Sequence, residues 1–306
     1  MPAGCEPNVV GNVKAPQNRQ SRSAQGKTGL SVRLLGPVSI SFEGKPVSIS
    51  SKRARALLGY LALREGTEIP RSVLTGLLWG DRGESQARAS LRQTLSELRA
   101  AVTATVLQPI LASKEAITWV AGVAWIDAKA LSAAADSADN DALQNATDLI
   151  GGELMEGLSL EESGFEDWLR TERERFRLLA CGIHARLMEH AERSGRVEEA
   201  LTSGLKLLSL DPLQEHVHRG LMRLYALQGR HDAALAQYER CRRELSSQLG
   251  VSPAPDTEQL ALSIRKSRRD RSPKVQLCRP VLRSRDNRDG PLCRTVHPSP
   301  SCLSLQ

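Results

Sequence analysis

Two stretches, LMEHAERSGRVEEAL (Leu187–Leu201) and LMRLYALQGRHDAAL (Leu221–Leu235), align at an offset of 34 residues, Leu187 against Leu221. Met188 meets Met222, Gly195 meets Gly229, Ala200 meets Ala234 and Leu201 meets Leu235. A period of this length commits the chain to stacked helix pairs. One pair cannot bury its own apolar face, so each needs a neighbour. Small residues recur where the helices would cross, and Pro212 closes the first unit.

The pattern is the tetratricopeptide signature, and from about Asp127 onward nearly everything reads as helix. Aromatic residues make up only 3% of the 306, so the cores must be built from Leu, Ala, Val and Ile. Phe165, Trp168 and Phe176 read as core anchors rather than a binding cage. Two domains with tails are expected from this length. The composition divides the chain into a disordered tail (1–29), a first domain (30–127), the helical domain (128–266) and a disordered basic tail (267–306). The last segment loses all periodicity directly after an ordered repeat. That break leads to the expectation of an out-of-frame end on a once longer chain.

The first domain opens with short alternating runs, SVRLLG, VSISF and PVSIS, separated by Gly36-Pro37 and Glu43-Gly44-Lys45. They predict a small antiparallel sheet. SKRARALLGYLAL then carries Ala54, Leu57, Leu58, Leu61 and Ala62 on a helical stripe, with Ser50 or Ser51 as cap. EGTEIP reads as a turn, and RSVLTGLLWG as a short helix burying Val73, Leu74, Leu77, Leu78 and Trp79. DRGES is the next turn, with Ser85 a candidate cap.

ARASLRQTLSELRAAV (Ala87–Val102) follows, its Leu91, Leu95, Leu98 and Val102 forming one narrow stripe. Ala89, Gln93, Ser96 and Ala100 lie away from that stripe, flanked by Arg88, Arg92 and Arg99, with Glu97 the helix's one acid within this stretch. ILASKEAITWV and AWID read as a hairpin tipped by Lys114-Glu115.

Sheet, three helices and a hairpin make the plan of an α+β winged helix-turn-helix, here followed by an all-α tetratricopeptide-like helical domain. In that plan the third helix enters the major groove of double-stranded DNA and the hairpin reaches the flanking backbone. Arg matches the O6/N7 edge of guanine and Gln the N6/N7 edge of adenine, while either can hold phosphates. The bland alternative is a solvated helix in a small α+β domain.

Charge agrees with this division. Residues 30–127 hold twelve Lys and Arg against eight acids, whereas 128–266 hold seventeen against twenty-three. A basic end joined to an acidic end fits nucleic-acid binding beside protein binding. The six cysteines are scattered with no C-x-x-C pair, which argues against a disulfide framework or a metal site. No apolar run of about 18 residues and no signal-peptide core are present, so a cytoplasmic, nucleoid-associated protein without a membrane is expected.

Gln25–Gly29 resembles the end of a phosphate-binding loop. Ser21 stands where that loop needs its first Gly, and no buried strand precedes it. His216 and His218, two apart, point to different sides of a helix, and no catalytic motif is present. Neither an enzyme nor a cofactor is expected.

The chain resembles the bacterial antibiotic-pathway regulators called SARP, which join an OmpR-like winged helix to a bacterial transcriptional activator domain. The resemblance rests on SKRARALLGYLAL, IPRSVLTGLLWGD and ARASLRQTLSELRAAV in the first domain. In the second it rests on GGELMEGL (Gly151–Leu158), FEDWLRTERERF (Phe165–Phe176) and QLGVSPAPDT (Gln248–Thr257). It spans about Leu30 to Lys266.

The resemblance implies an activator that binds direct repeats upstream of a promoter, two subunits side by side suiting that arrangement, and recruits RNA polymerase. By position it implies DNA contacts from Arg88, Arg92, Gln93, Ser96 and Arg99, with Lys114 on the wing. The turn holding Asp81, Arg82 and Glu84 would touch polymerase. No receiver domain precedes the winged helix and no nucleotide-binding domain follows the repeats, so phosphorelay and ATP-dependent control are not expected. The rival reading is a tetratricopeptide-type interaction scaffold without specific DNA binding. Such a scaffold would expose apolar residues on the third helix, where this chain has Gln, Ser and Arg.

Overall fold

A computed structural model describes residues 29–103 and 108–271. The expectations for residues 1–28 and 272–306, including most of the phosphate-loop-like stretch, lie outside the described residues.

The alternating runs form β1 (Leu30–Arg33), β2 (Ser39–Phe42) and β3 (Lys45–Val47), an antiparallel meander. α1 (Lys52–Leu63) starts at Ser51, whose hydroxyl accepts from the Ala54 N–H, and its expected stripe is fully buried. β4 (Ile69–Pro70), α2 (Arg71–Leu78) and α3 (Glu84–Thr103) follow. β5 (Ile110–Ala112) and β6 (Ala116–Trp119) form the hairpin, and β7 (Trp125–Ile126) leads into the helical half.

Four details depart from the expectations. The segment AWID does not join the hairpin; its β7 runs parallel to β1, so the first sheet has the order β3-β2-β1-β7. EGTEIP is not only a turn, because Ile69 and Pro70 pair with Ile117 and Ala116 as a third strand of the wing. Pro70 is tolerated there on an outer strand, where its missing N–H costs no ladder bond. Val73 is 46% exposed, since α2 is short enough that Leu74, Leu78 and Trp79 cover its inner side. Ser85 lies inside α3, where the Gly83 carbonyl accepts from the Gln86 and Ala87 N–H groups.

The second half runs α4 (Asp127–Ala135), α5 (Asn140–Thr147), α6 (Ser163–Arg193), α7 (Val197–Leu210), α8 (Glu215–Leu227), α9 (His231–Leu249) and α10 (Pro255–Arg271). The last helix reaches five residues past Lys266, where periodicity in the sequence fades. The 34-residue repeat is structural. Gly195 and Gly229 turn the chain at equivalent points with φ of 68° and 74°, a left-handed conformation open to glycine. Leu187, Met188, Ala200, Leu201, Leu221, Met222 and Ala234 are all buried.

The two halves share one core. A single apolar cluster runs from Leu30 through α1, α2, α3 and the wing to Phe165, Phe176 and Leu187 on α6. The backbone is joined as well. Met155 N–H donates to the Leu34 carbonyl at 2.7 Å, Gly36 N–H to Glu153 at 2.9 Å, and Glu156 N–H to Gly36 at 2.9 Å. The GGELMEGL motif is therefore a strap laid on the end of β1. A Cβ on Gly151 would stand 2.9 Å from the Leu35 carbonyl oxygen, too close for any other residue. Arg173 on α6 fixes the strap from the far side, donating to the Leu154 and Met155 carbonyls at 2.9 and 3.0 Å.

At the junction Asp127 is 3% exposed. Its carboxylate accepts from Leu34 N–H at 2.8 and 3.0 Å, Leu35 N–H at 3.0 Å and Ala128 N–H at 2.7 Å. Burial pushes this carboxyl above its ordinary range, although the three N–H groups favour its ionised form. Asp127→Ala should cost about 1–3 kcal/mol for each orphaned buried donor, and Asp127→Asn, which keeps one acceptor oxygen, should cost less. Equilibrium unfolding in urea measures both.

In the repeats His218 is fully buried, with Gln237 Nε2 donating to Nδ1 at 2.7 Å and its own Nε2–H donating to the Pro212 carbonyl at 3.0 Å. These partners fit the neutral ring, and burial holds its pKa below the ordinary histidine value. The unfolded chain then binds the extra proton first, so this group's contribution rises with pH from the lowered value up to about 6.5 and is flat above. Acidification from about pH 7 to about pH 5 should lower the melting temperature of the wild type more than that of His218→Gln. Thermal melts of the two proteins across that range test the sign.

Candidate nucleic-acid interface

The outward arc of α3 is set by helical geometry. Ala87, Leu91, Thr94, Leu95, Leu98 and Val102 are buried, which leaves the rest of the circumference in solvent. At about 100° per residue Arg88, Arg92 and Arg99 fall within roughly 40° of one another, a single ridge. Ser96 and Ala89 come next around the helix, then Ala100 and Gln93. All seven are exposed, so the side chains expected to face DNA share one surface.

Each flank of that surface is pinned. On the arginine side, Arg99 donates to the Ile110 carbonyl of the wing at 3.4 Å. On the other side, Glu97 turns away from the arginines and accepts from the Ser51 N–H at 3.2 Å and the Ser50 hydroxyl at 3.3 Å. The one acid of Ala87–Val102 thus secures the start of α1. Gln93 lines a recess with Arg82 and Glu97 on one side and residues 159–161 of the helical half on the other. Within the ridge Arg88 pairs with Glu84, one turn earlier. Arg92 makes no ion pair among the described residues.

Lys114 sits at the exposed tip of the β5–β6 hairpin. The Ser113 hydroxyl shapes that tip by accepting from the Glu115 and Ala116 N–H groups at 3.2 and 2.9 Å. Arg71, which opens α2, braces the wing through Nε to the Ser113 carbonyl at 3.0 Å and its N–H to the Glu115 carbonyl at 2.8 Å. The sequence reading missed this residue, and only the Ile-Pro step before it hinted at a third wing strand. Asp81 and Arg82, between α2 and α3, are exposed beside Glu84, the first residue of α3, with Arg82 donating to the Ser90 hydroxyl at 3.3 Å.

The helical half holds the base of this surface. Arg53 on α1 donates to the Leu78 carbonyl at the end of α2 and pairs with Glu162 at 2.8 Å, the carboxylate side chain being 7% exposed. Trp168 on α6 meets Tyr60 on α1 edge-on, ring centroids 4.8 Å apart. These contacts reach the two helices that carry α3. Among the described residues no cluster of His, Cys, Asp or Glu is placed to hold a metal ion, and no helix is long and apolar enough to cross a membrane.

Residues 124–265 match the bacterial transcriptional activator domain family. The chain is 30% identical over 267 residues to the regulatory protein AfsR of Streptomyces coelicolor, covering 82% of this chain and 26% of that protein. To the transcriptional regulatory protein EmbR of Mycobacterium tuberculosis it is 24% identical over 260 residues, 76% of this chain and 62% of the relative. The chain thus spans about a quarter of AfsR. A solved structure of M. tuberculosis EmbR in complex with a low affinity phosphopeptide shares the fold, with a TM-score of 0.59 at 22% identity over 79% of this chain and 66% of that one. The family consists of transcriptional regulators rather than enzymes. With a winged helix-turn-helix joined to a segment that matches the bacterial transcriptional activator domain, this chain has the domain arrangement of the SARP-type regulators and is similar in sequence to them.

Proposed function

We propose that the chain is a sequence-specific DNA-binding transcriptional activator of the bacterial cytoplasm, working at the nucleoid. The observation that carries this reading is the exposed ridge of α3, rich in fork-shaped donors, bare of large apolar groups and held in place on both flanks. Arg92 is the side chain most free to reach a base edge. Arg88 and Gln93 stand one turn or less away, and Ser96 leaves the helix room to approach the groove. Arg99, already tied to the wing, suits a phosphate contact beside Lys114. Such contacts fix the register without reading sequence.

The turn of Asp81, Arg82 and Glu84 lies next to the start of α3 and stays in solvent. RNA polymerase is its proposed partner, with two copies of the chain side by side on direct repeats. The two halves are proposed to act as one unit, with the domain boundary near Asp127 a joint rather than a linker. A pure scaffold finds no support on α3, which offers no apolar surface to a protein.

Sheared genomic DNA captured by the full chain, sequenced across a salt series, tests the reading. Recovery should concentrate on one direct-repeat sequence and fall steeply with salt, because each neutralised phosphate releases counterions. On that sequence Arg92→Ala should cost about 1–3 kcal/mol and relax the preference at one base position. Uniform recovery without a shared sequence, or unchanged discrimination in Arg92→Ala, would contradict it.

A further inference from the structure

The recess beside Gln93 is open to solvent and measures about 380 Å³. Its walls come from the start of α1, the α2–α3 turn, α3 itself and residues 159–161 of the helical half. At about 100° per residue Ser90, Gln93, Thr94 and Glu97 share one flank of α3. That flank is centred opposite the ridge of Arg88, Arg92 and Arg99.

Several donors on this recess have no partner. Thr94 is 7% exposed, and its hydroxyl makes no hydrogen bond among the described residues, yet it is not sealed from the recess it lines. A polar side chain so deeply set and left unpaired points to a partner from outside. α1 begins against the same space. Ser51 takes the Ala54 N–H, whereas the N–H groups of Lys52 and Arg53 find no acceptor among the described residues. Unmet N–H groups at the positive end of a helix favour an anion. Lys52 and Arg82 are exposed and make no ion pair among the described residues, Arg82 donating only to the Ser90 hydroxyl. Arg53 is already spent on Glu162, and Glu97 on Ser50 and Ser51.

The facing wall is a braced turn. Glu161 holds a φ of 60°, left-handed backbone that is uncommon for a residue other than glycine. Glu166 secures the turn by accepting from the Ser159 hydroxyl and the Leu160 N–H, both at 2.8 Å. The Glu161 carboxylate is thereby kept on the recess.

We propose that this recess seats a backbone phosphate of double-stranded DNA. A helix about 10–12 Å across fills the major groove, so each of its flanks meets a sugar-phosphate backbone. The wing, with Arg99 and Lys114, serves one flank. The recess serves the other, with charge from Lys52 and Arg82 and hydrogen bonds from Thr94 and the first N–H groups of α1. Glu161 opposes them, so the helical half borders the DNA and moderates affinity for every sequence alike. This assignment extends the DNA-binding reading and rests on it.

Binding of the full chain to the direct-repeat sequence recovered from genomic DNA and to an unrelated duplex, across a salt series, tests it. Lys52→Ala should weaken both duplexes several-fold and equally, and lower the salt slope by about 0.9, the worth of one phosphate. Thr94→Val, which keeps the side-chain shape, should weaken both by about threefold or more without lowering the melting temperature. Glu161→Gln should tighten both, with the gain fading as salt rises. Unaltered affinity in Lys52→Ala or Thr94→Val, or no gain in Glu161→Gln, would overturn the recess, while a base-specific loss in Arg92→Ala would leave the DNA-binding reading standing. Absence of DNA binding by the wild type would overturn both. Stabilisation by inorganic phosphate that Lys52→Ala abolishes, with DNA binding unaltered, would mark a site for a free anion and overturn the assignment as well.

Discussion

The Asp127 carboxylate and the strap beside it decide how the rest of this molecule is arranged. β1 ends at Arg33, and the N–H groups of Leu34 and Leu35 have no strand partner of their own. Asp127 satisfies both, while residues 153–156 take the neighbouring backbone groups. The strand that opens the first half is thereby completed by the helical half. Leaving such groups buried and unpaired would cost about 1–3 kcal/mol each, together a large share of the roughly 5–15 kcal/mol by which domains are stable. The apolar cluster that crosses the same joint makes the dependence mutual.

This joint has a consequence for α3. The DNA contacts proposed for α3 need a fixed helix angle as much as they need donors, since base contacts tolerate little displacement. The floor of α3 is Leu91, Leu95 and Leu98, packed in the shared core. One flank is held by Glu97 at the start of α1, the other by Arg99 at the wing, and Arg53 ties α1 and the end of α2 to Glu162 of the helical half. Any event that shifts α6 would be passed to α3 through packed side chains rather than through a flexible connection. The end of the repeats is freer of this constraint: α8 packs with α6 and α7 in a second cluster, and α9 and α10 bury apolar residues with Met222 of α8 in a third, smaller one.

Much of this was legible in the residues because it is periodic. The stripe Leu91, Leu95, Leu98 and Val102, the Ser51 cap and the 34-residue spacing of Gly195 and Gly229 each follow from local geometry, and each is found in place. The exposed arc holding Arg88, Arg92, Gln93, Ser96 and Arg99 followed from the same periodicity. What the sequence hid is long-range pairing. Two residues of β7 lie along β1 from more than ninety positions away, and no pattern of two residues announces a partner. Asp127 looked like the end of a strand and the start of a helix; its acceptors' targets, Leu34 and Leu35, are apolar residues whose backbone need is invisible in the letters. GGELMEGL could be matched by resemblance, yet its glycines acquire a physical reason only when the Leu35 carbonyl is seen against Gly151. Glu97, the one acid of Ala87–Val102, is a tether to the start of α1, which no local pattern announces.

The shared core and the strap make the two halves one cooperative unit, and native-state hydrogen exchange on the full chain in increasing denaturant tests that directly. Amides of α1, α3 and the part of α6 up to Leu187 should converge on one common opening free energy, with those of α9 and α10 free to open below it. Protection of α6 persisting while α1 and α3 exchange through a separate, lower-energy opening would show two independent domains and contradict the account.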